Sequence, residues 1–350
     1  MAALQIVDKK FSQVPIIDIS DLVFQTKNPD DKTLKGCELV ADKIRQACQD
    51  YGFFYIIGHG VNEQLQQQLE HLSQQFFQQD LATKLKIRMA HGGRAWRGYF
   101  PVGNELTSGK PDLKEGIYFG AELAEEHPLV KAGTPMHGRN LFPSNIHQFR
   151  EIVLAYLDAM TQLGHILMAG IALSLGLEEF YFANRYTKDP LILFRIFNYP
   201  PNSSLSGSEW GVGEHTDYGV LTILKQDNIG GLQVKSKSGW IDAPPIPNSF
   251  VCNIGDMLDR MTQGLYRSTP HRVKNLSTSD RLSFPFFFDP NFHVEVKPIE
   301  LKNVVVNDDK SDRWDKASVH EFQGTYGDYL LNKVSKVFPE LRQTVLESGE

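Results

Sequence analysis

Cysteine is scarce in this 350-residue chain. Cys37, Cys48 and Cys252 are an odd number with no C-x-x-C spacing. A disulfide framework and a cysteine zinc cluster are therefore excluded as organising devices, and a reducing compartment fits best. Charge of one sign is not concentrated either: the formal net charge is -6 and no long basic block occurs. The footprint of a nucleic-acid binder is lacking. No run approaches the roughly 20 consecutive apolar residues of a membrane span. The opening MAALQIVDKKFSQ carries charges where a secretory leader needs an apolar stretch, and the closing LESGE matches no retention or peroxisomal signal. A cytoplasmic protein is expected, with no nucleic-acid, membrane or protein partner indicated. No internal repeat or low-complexity tract is seen.

The composition, 41% hydrophobic and 22% charged, allows a sizeable core. The first half reads as mixed. VPIIDIS (14–20) and FFYIIGHG (53–60) have the β-branched and aromatic character of short strands. Residues 35–51, 63–77 and 146–175 place apolar side chains at three- and four-residue steps, which predicts helices. The glycine- and aromatic-rich stretch 88–120 reads as irregular. From residue 190 the character changes: LILFRIFNYP, VLTILKQD, GGLQVKS, SFVCNIGD and RLSFPFFF are short strand-like segments separated by turn residues. Such spacing, without crossover helices, predicts an antiparallel sandwich or barrel. A covering helix is expected within KASVHEFQGTYGDYLLNKVSKVF.

Chemistry concentrates in that second half. In His215-Thr216-Asp217, residues i and i+2 of an extended segment share a face, so an imidazole and a carboxylate converge. His271, in STPHRV, is the candidate third ligand. Two histidines and one carboxylate on one face leave metal positions open, the facial arrangement of non-haem iron(II) oxygenases. Eleven histidines make one chance H-x-D or H-x-E expected, and His293-Val294-Glu295 is such a decoy. Ten residues after His271, Arg281 and Ser283 share a strand face. A buried arginine needs an anion, and its planar fork matches a carboxylate. A dicarboxylate anchored there could chelate the metal with its other end, and Tyr199 could add a hydroxyl. A structural ion pair is the alternative. Pro285 suggests a bend or a sheet edge just beyond.

H-T-D, some fifty residues, S-T-P-H-R-V and then R-L-S resemble the isopenicillin N synthase-like 2-oxoglutarate/Fe(II) dioxygenases. VPIIDIS, DYGFFYIIGHGV, FNYPP, GVGEHTDYGVLTIL, GGLQV, WIDAPPIPNSFVCNIGDML and FFDPNF extend the resemblance over residues 14–292. Uncharacterised plant and fungal members are the nearest in pattern. The resemblance implies a mainly β protein with flanking helices (α+β) around a double-stranded β-helix, or jelly-roll, core. It divides the chain into an N-terminal region (1–180), a catalytic jelly roll (181–300) and a covering segment (301–350). It implies Fe(II) on His215, Asp217 and His271, and 2-oxoglutarate on Arg281, Ser283 and Tyr199. O2 would be consumed and a small molecule oxidised, most simply by hydroxylation. RGYFPVGNELTSGKPDLKEGI also resembles the ethylene-forming enzyme, which implies a substrate pocket of Glu105, Thr107, Arg195 and Tyr218. Phe197 stands where flavonoid-oxidising members carry asparagine, which argues against a flavonoid. Three other readings stand beside this one: a zinc hydrolase on the same ligands, an oxidase of the same fold that does not consume 2-oxoglutarate, and a non-catalytic jelly roll.

Overall fold

The computed structural model describes residues 13–27, 34–107, 109–201, 210–274, 277–301, 310–313 and 316–338. The first twelve residues and LESGE, read above for targeting signals, lie outside them. In chain order the strands are β1 (Ile16–Asp18), β2 (Phe53–Ile57), β3 (Gly98–Phe100), β4 (Leu106–Thr107), β5 (Lys110–Pro111), β6 (Glu115–Gly120) and β7 (Leu191–Tyr199). They continue with β8 (Val212–His215), β9 (Leu221–Gln226), β10 (Leu232–Ser236), β11 (Gly239–Asp242), β12 (Phe250–Ile254), β13 (His271–Val273) and β14 (Arg281–Asp289).

Two sheets make the jelly roll with flanking helices. The larger has eight strands in the order β1-β2-β12-β9-β14-β7-β6-β3; the smaller runs β11-β10-β13-β8, and β4-β5 is a separate hairpin. Among these strands every pairing is antiparallel except β1 with β2. The long apolar strands β7 and β14 lie at the centre of the large sheet, where both faces are covered, so they read as near-continuous hydrophobic runs.

The structure corrects two expectations. Residues 88–120 are not simply irregular: β3 and β6 extend the large sheet beyond β7. They are short and buried throughout, so neither shows the alternation that marks a half-exposed strand. Pro285 marks no edge. It faces Leu224 inside the sheet, and the ladder from β14 to β7 keeps one register from Ser283–Phe197 to Phe286–Phe194. The missing N–H costs a local gap, not a strand end.

The helix Phe149–Ser174 packs its buried face on the helices Leu34–Asp50 and Glu63–Phe77 and on the large sheet. By length and composition alone it also qualifies as a membrane span. Scattered polar residues hide that length from a search for unbroken apolar runs. The predicted covering helix is Tyr326–Val337. It opens on a capping box in which Thr325 and Asp328 exchange hydrogen bonds.

Candidate metal centre

The predicted ligands meet between the two sheets. His215 ends β8, His271 begins β13, and the antiparallel ladder sets them directly opposite each other. Opposed residues project to one face, and the two imidazole centroids lie 4.2 Å apart. Each Nδ1 sits against a backbone carbonyl, Gly213 O at 2.8 Å and Thr269 O at 3.2 Å. A carbonyl only accepts, so both Nδ1 atoms carry the proton and both Nε2 lone pairs are left to bind a metal.

Asp217 reaches this face differently from the sequence expectation. The strand stops at His215, and Asp217 lies in the following turn. Thr222 Oγ1 on β9 and Asn253 Nδ2 on β12 each donate to Asp217 Oδ2 at 2.6 Å. Oδ1 is left 3.9 Å from His215 Nε2 and 3.7 Å from His271 Nε2. Among the described residues, these three form the one His/Cys/Asp/Glu group placed to hold a metal, their ligand atoms all within 4.8 Å. The decoy is not so placed: Glu295 is exposed and paired to Lys297 at 2.8 Å, and His293 packs on Phe292.

Electrostatics prepare the site. Burial, and then the neighbouring His271, push His215 down to about 3, so it is neutral at pH 7 and needs to lose no proton to ligate. Burial would raise Asp217, but His271, His215, and the hydrogen bonds from Asn253 and Thr222 outweigh it and hold the carboxyl below its ordinary range. Neither Thr222 nor Asn253 was picked out from the sequence, since they become partners of Asp217 only when β9 and β12 pair. Outer-shell partners of a metal ligand are typically worth about 10- to 100-fold in affinity. Asn253→Ala and Thr222→Val are therefore each expected to weaken metal binding by about tenfold or more, measured by equilibrium titration with Mn(II).

Behind the three ligands lies a cleft of about 910 Å³ including its mouth. Arg281 is fully buried, under the ring of Tyr199 at 4.8 Å. Its Nε donates to Gly230 O. That approach needs the Gly230-Gly231 turn: Gly231 has φ +100°, and a Cβ there would lie 2.0 Å from Lys274 O. Both terminal nitrogens of Arg281 are buried without a hydrogen-bond partner among the described residues. The alternative reading, a structural ion pair, is not formed among the described residues, and a buried fork of this kind fits an incoming carboxylate. Tyr199, opposite Arg281 in the ladder, and Ser283 both line the cleft.

Glu105, Thr107, Arg195 and Tyr218 line it as well. Sequence reasoning missed Lys114, which completes this wall, and Asp112, the buried acid that holds Lys114 in place. Lys114 bridges Glu105 at 2.9 Å and Asp112 at 2.6 Å, and Thr107 donates to Asp112 at 2.6 Å. Arg195 approaches Glu105 at 3.5 Å and stacks on Tyr118 and Phe287. Burial opposes the charge on Glu105, yet Lys114 and Arg195 override it and keep the carboxyl ionised. Of the aromatic run, Phe287 reaches the cleft, whereas Phe286 and Phe288 are core.

Two histidines and an aspartate on one face of a jelly roll, with a buried cation nearby, form the arrangement that non-haem iron(II) oxygenases use. Family models agree: residues 14–145 match the non-haem dioxygenase N-terminal family, "non-haem dioxygenase in morphine synthesis N-terminal", and residues 181–290 match the 2OG-Fe(II) oxygenase superfamily. The chain belongs to the 2-oxoglutarate/Fe(II) oxygenase superfamily. A probable iron/ascorbate oxidoreductase of Dictyostelium discoideum is 55% identical, covering 95% of this chain and 97% of its own. A 1-aminocyclopropane-1-carboxylate oxidase of the same organism is 40% identical (94% and 96%), and a homoarginine-6-hydroxylase of Glycine max 37% (95% and 99%). Among solved structures, a full-length Neurospora crassa protein in complex with alpha-KG and thymine superposes with a TM-score of 0.76 at 27% identity, covering 94% of this chain and 98% of that one. The protein is an oxidoreductase that requires Fe(II), 2-oxoglutarate and O2 and acts on a small molecule.

Proposed function

We propose that His215, Asp217 and His271 hold the iron, that Arg281, Ser283 and Tyr199 hold the distal carboxylate of 2-oxoglutarate, and that the enzyme hydroxylates a small α-amino acid. The observation that carries the co-substrate assignment is the Arg281 fork, buried with both terminal nitrogens unpartnered. Iron(II) when bound supplies O2 activation coupled to oxidative decarboxylation of 2-oxoglutarate to succinate. The chain's part is positional. Asn253 and Thr222 fix the carboxylate, the backbone carbonyls fix both imidazoles, and Leu193, Phe197, Leu224 and Phe287 line the cleft with apolar surface that limits water.

The substrate class rests on two supports. The cleft wall offers both signs, an ionised Glu105 and an Arg195 whose Nε is buried without a partner among the described residues. An amino acid presents the complementary pair, an ammonium and a carboxylate. Two of the relatives act, by name, on amino acids. Succinate release against a panel of amino acids, heterocyclic acids and neutral heterocycles tests the reading. Amino acids should stimulate most; a neutral base such as thymine stimulating more would contradict it. Glu105→Gln removes one charged partner, worth about 1.5–3 kcal/mol. It is expected to cut substrate-coupled turnover by about 10- to 100-fold while 2-oxoglutarate binding, followed by calorimetry, is unchanged.

A further inference from the structure

The turn that carries the metal carboxylate, residues 217–220, is gripped from two sides, and both grips end on one helix. On one side its carbonyls are capped by backbone N–H groups. Asp256 N donates to Asp217 O at 2.8 Å, Met257 N to Gly219 O at 3.0 Å and Gly255 N to Val220 O at 3.3 Å. The Asp256 carboxylate, fully buried, accepts from Tyr329 Oη at 2.7 Å and Arg313 Nη1 at 2.8 Å. On the other side stands Asp289, at the end of β14. Its Oδ1 lies so close to Gly219 that a Cβ on that residue would be 1.4 Å away, and its Oδ2 accepts from Tyr326 Oη at 2.5 Å.

Tyr326 and Tyr329 are three residues apart on the helix Tyr326–Val337, hence on one face of it. That helix is itself anchored: Tyr326 N donates to Val294 O at 2.9 Å and Gly327 N to Phe292 O at 2.8 Å. Tyr326, Leu330 and Val337 also form part of the cleft wall. A single element therefore closes the cleft and clamps both acids beside the ligand turn.

We infer that Tyr326 and Tyr329 are positioning residues for the metal carboxylate: through Asp289 and Asp256 they hold the 217–220 turn so that Asp217 Oδ1 stays directed at the two imidazoles. Each acts through an acid that contacts the turn. The inference rests on the assignment of His215, Asp217 and His271 as metal ligands.

The test is the affinity for Mn(II) alone, measured by electron paramagnetic resonance titration on the full chain well below each variant's melting temperature. Wild type should bind one ion and His271→Ala none. Absence of saturable binding by wild type, or wild-type binding by His271→Ala, would overturn the ligand assignment and this inference with it. Given normal wild-type binding, Tyr326→Phe and Tyr329→Phe should each weaken affinity by about three- to tenfold, below the range for direct outer-shell partners. Their double variant should lose more than either. Thr325→Ala is the control for a merely structural role. It breaks the capping box of the same helix, should lower the melting temperature by about 2 °C, and should leave Mn(II) affinity unchanged. Should the double variant fail to fold, the single variants decide. Wild-type affinity in both, or an equal loss in Thr325→Ala, would overturn the inference.

Discussion

Replacing Arg281 with alanine is expected to raise the 2-oxoglutarate concentration for half-maximal turnover by about a hundredfold or more. A charge-assisted hydrogen bond contributes about 1.5–3 kcal/mol, and the two unpartnered nitrogens of the buried fork allow two of them to one carboxylate. Together that is about 3–6 kcal/mol, or roughly 10²- to 10⁴-fold. Metal affinity should change little, because the contacts that hold the three metal-site side chains come from Gly213, Thr269, Thr222 and Asn253, not from Arg281. Arg281→Lys should rescue only partly: an ammonium restores charge but not the planar two-point geometry. The check is a steady-state titration of 2-oxoglutarate with succinate as readout. An unchanged requirement in Arg281→Ala would remove the clamp from the account and leave Arg281 a structural residue.

The second large effect is at the ligands. His215→Ala, His271→Ala and Asp217→Ala should each reduce succinate formation by about 10³-fold or more, since each removes one of three protein ligands and with it several kcal/mol of metal-dependent stabilisation. Asp217→Ala has an added cost, because it strands the donors of Thr222 and Asn253 in a buried place. Its apo form should therefore be less stable than that of His215→Ala, a side chain that is partly exposed. Metal content after reconstitution and succinate assays check both points together. Near-wild-type turnover in any of the three would exclude that residue as a ligand.

Much of the centre was legible because its ligands sit on strong local patterns. His215-Thr216-Asp217, STPHRV and Arg281-Leu282-Ser283 are compact local motifs, and their spacing taken together with the family resemblance singled out His215, His271 and Arg281. What escaped was non-local. Asn253 is 36 residues from Asp217 and looks like any polar residue in a strand; only the pairing of β12 with β9 makes it a partner. Tyr326 and Asp289 meet across 37 residues, and Lys114 becomes buried between two acids only once the hairpin β4–β5 has folded. Elements of two to four residues, such as β3, β8 and β13, are too short to display a period. The predicted convergence of His215 and Asp217 was right in outcome but not in cause: the strand ends at the first, and hydrogen bonds from the opposite sheet bring back the second.

The most direct test of the whole account is an anaerobic titration. Iron(II) and 2-oxoglutarate added together to the protein should give a weak visible charge-transfer band that saturates at one iron per chain. His271→Ala should lack it, and Arg281→Ala should show it only at far higher 2-oxoglutarate. No band in the wild-type protein, or an undiminished one in His271→Ala, would contradict a shared iron centre between these sheets.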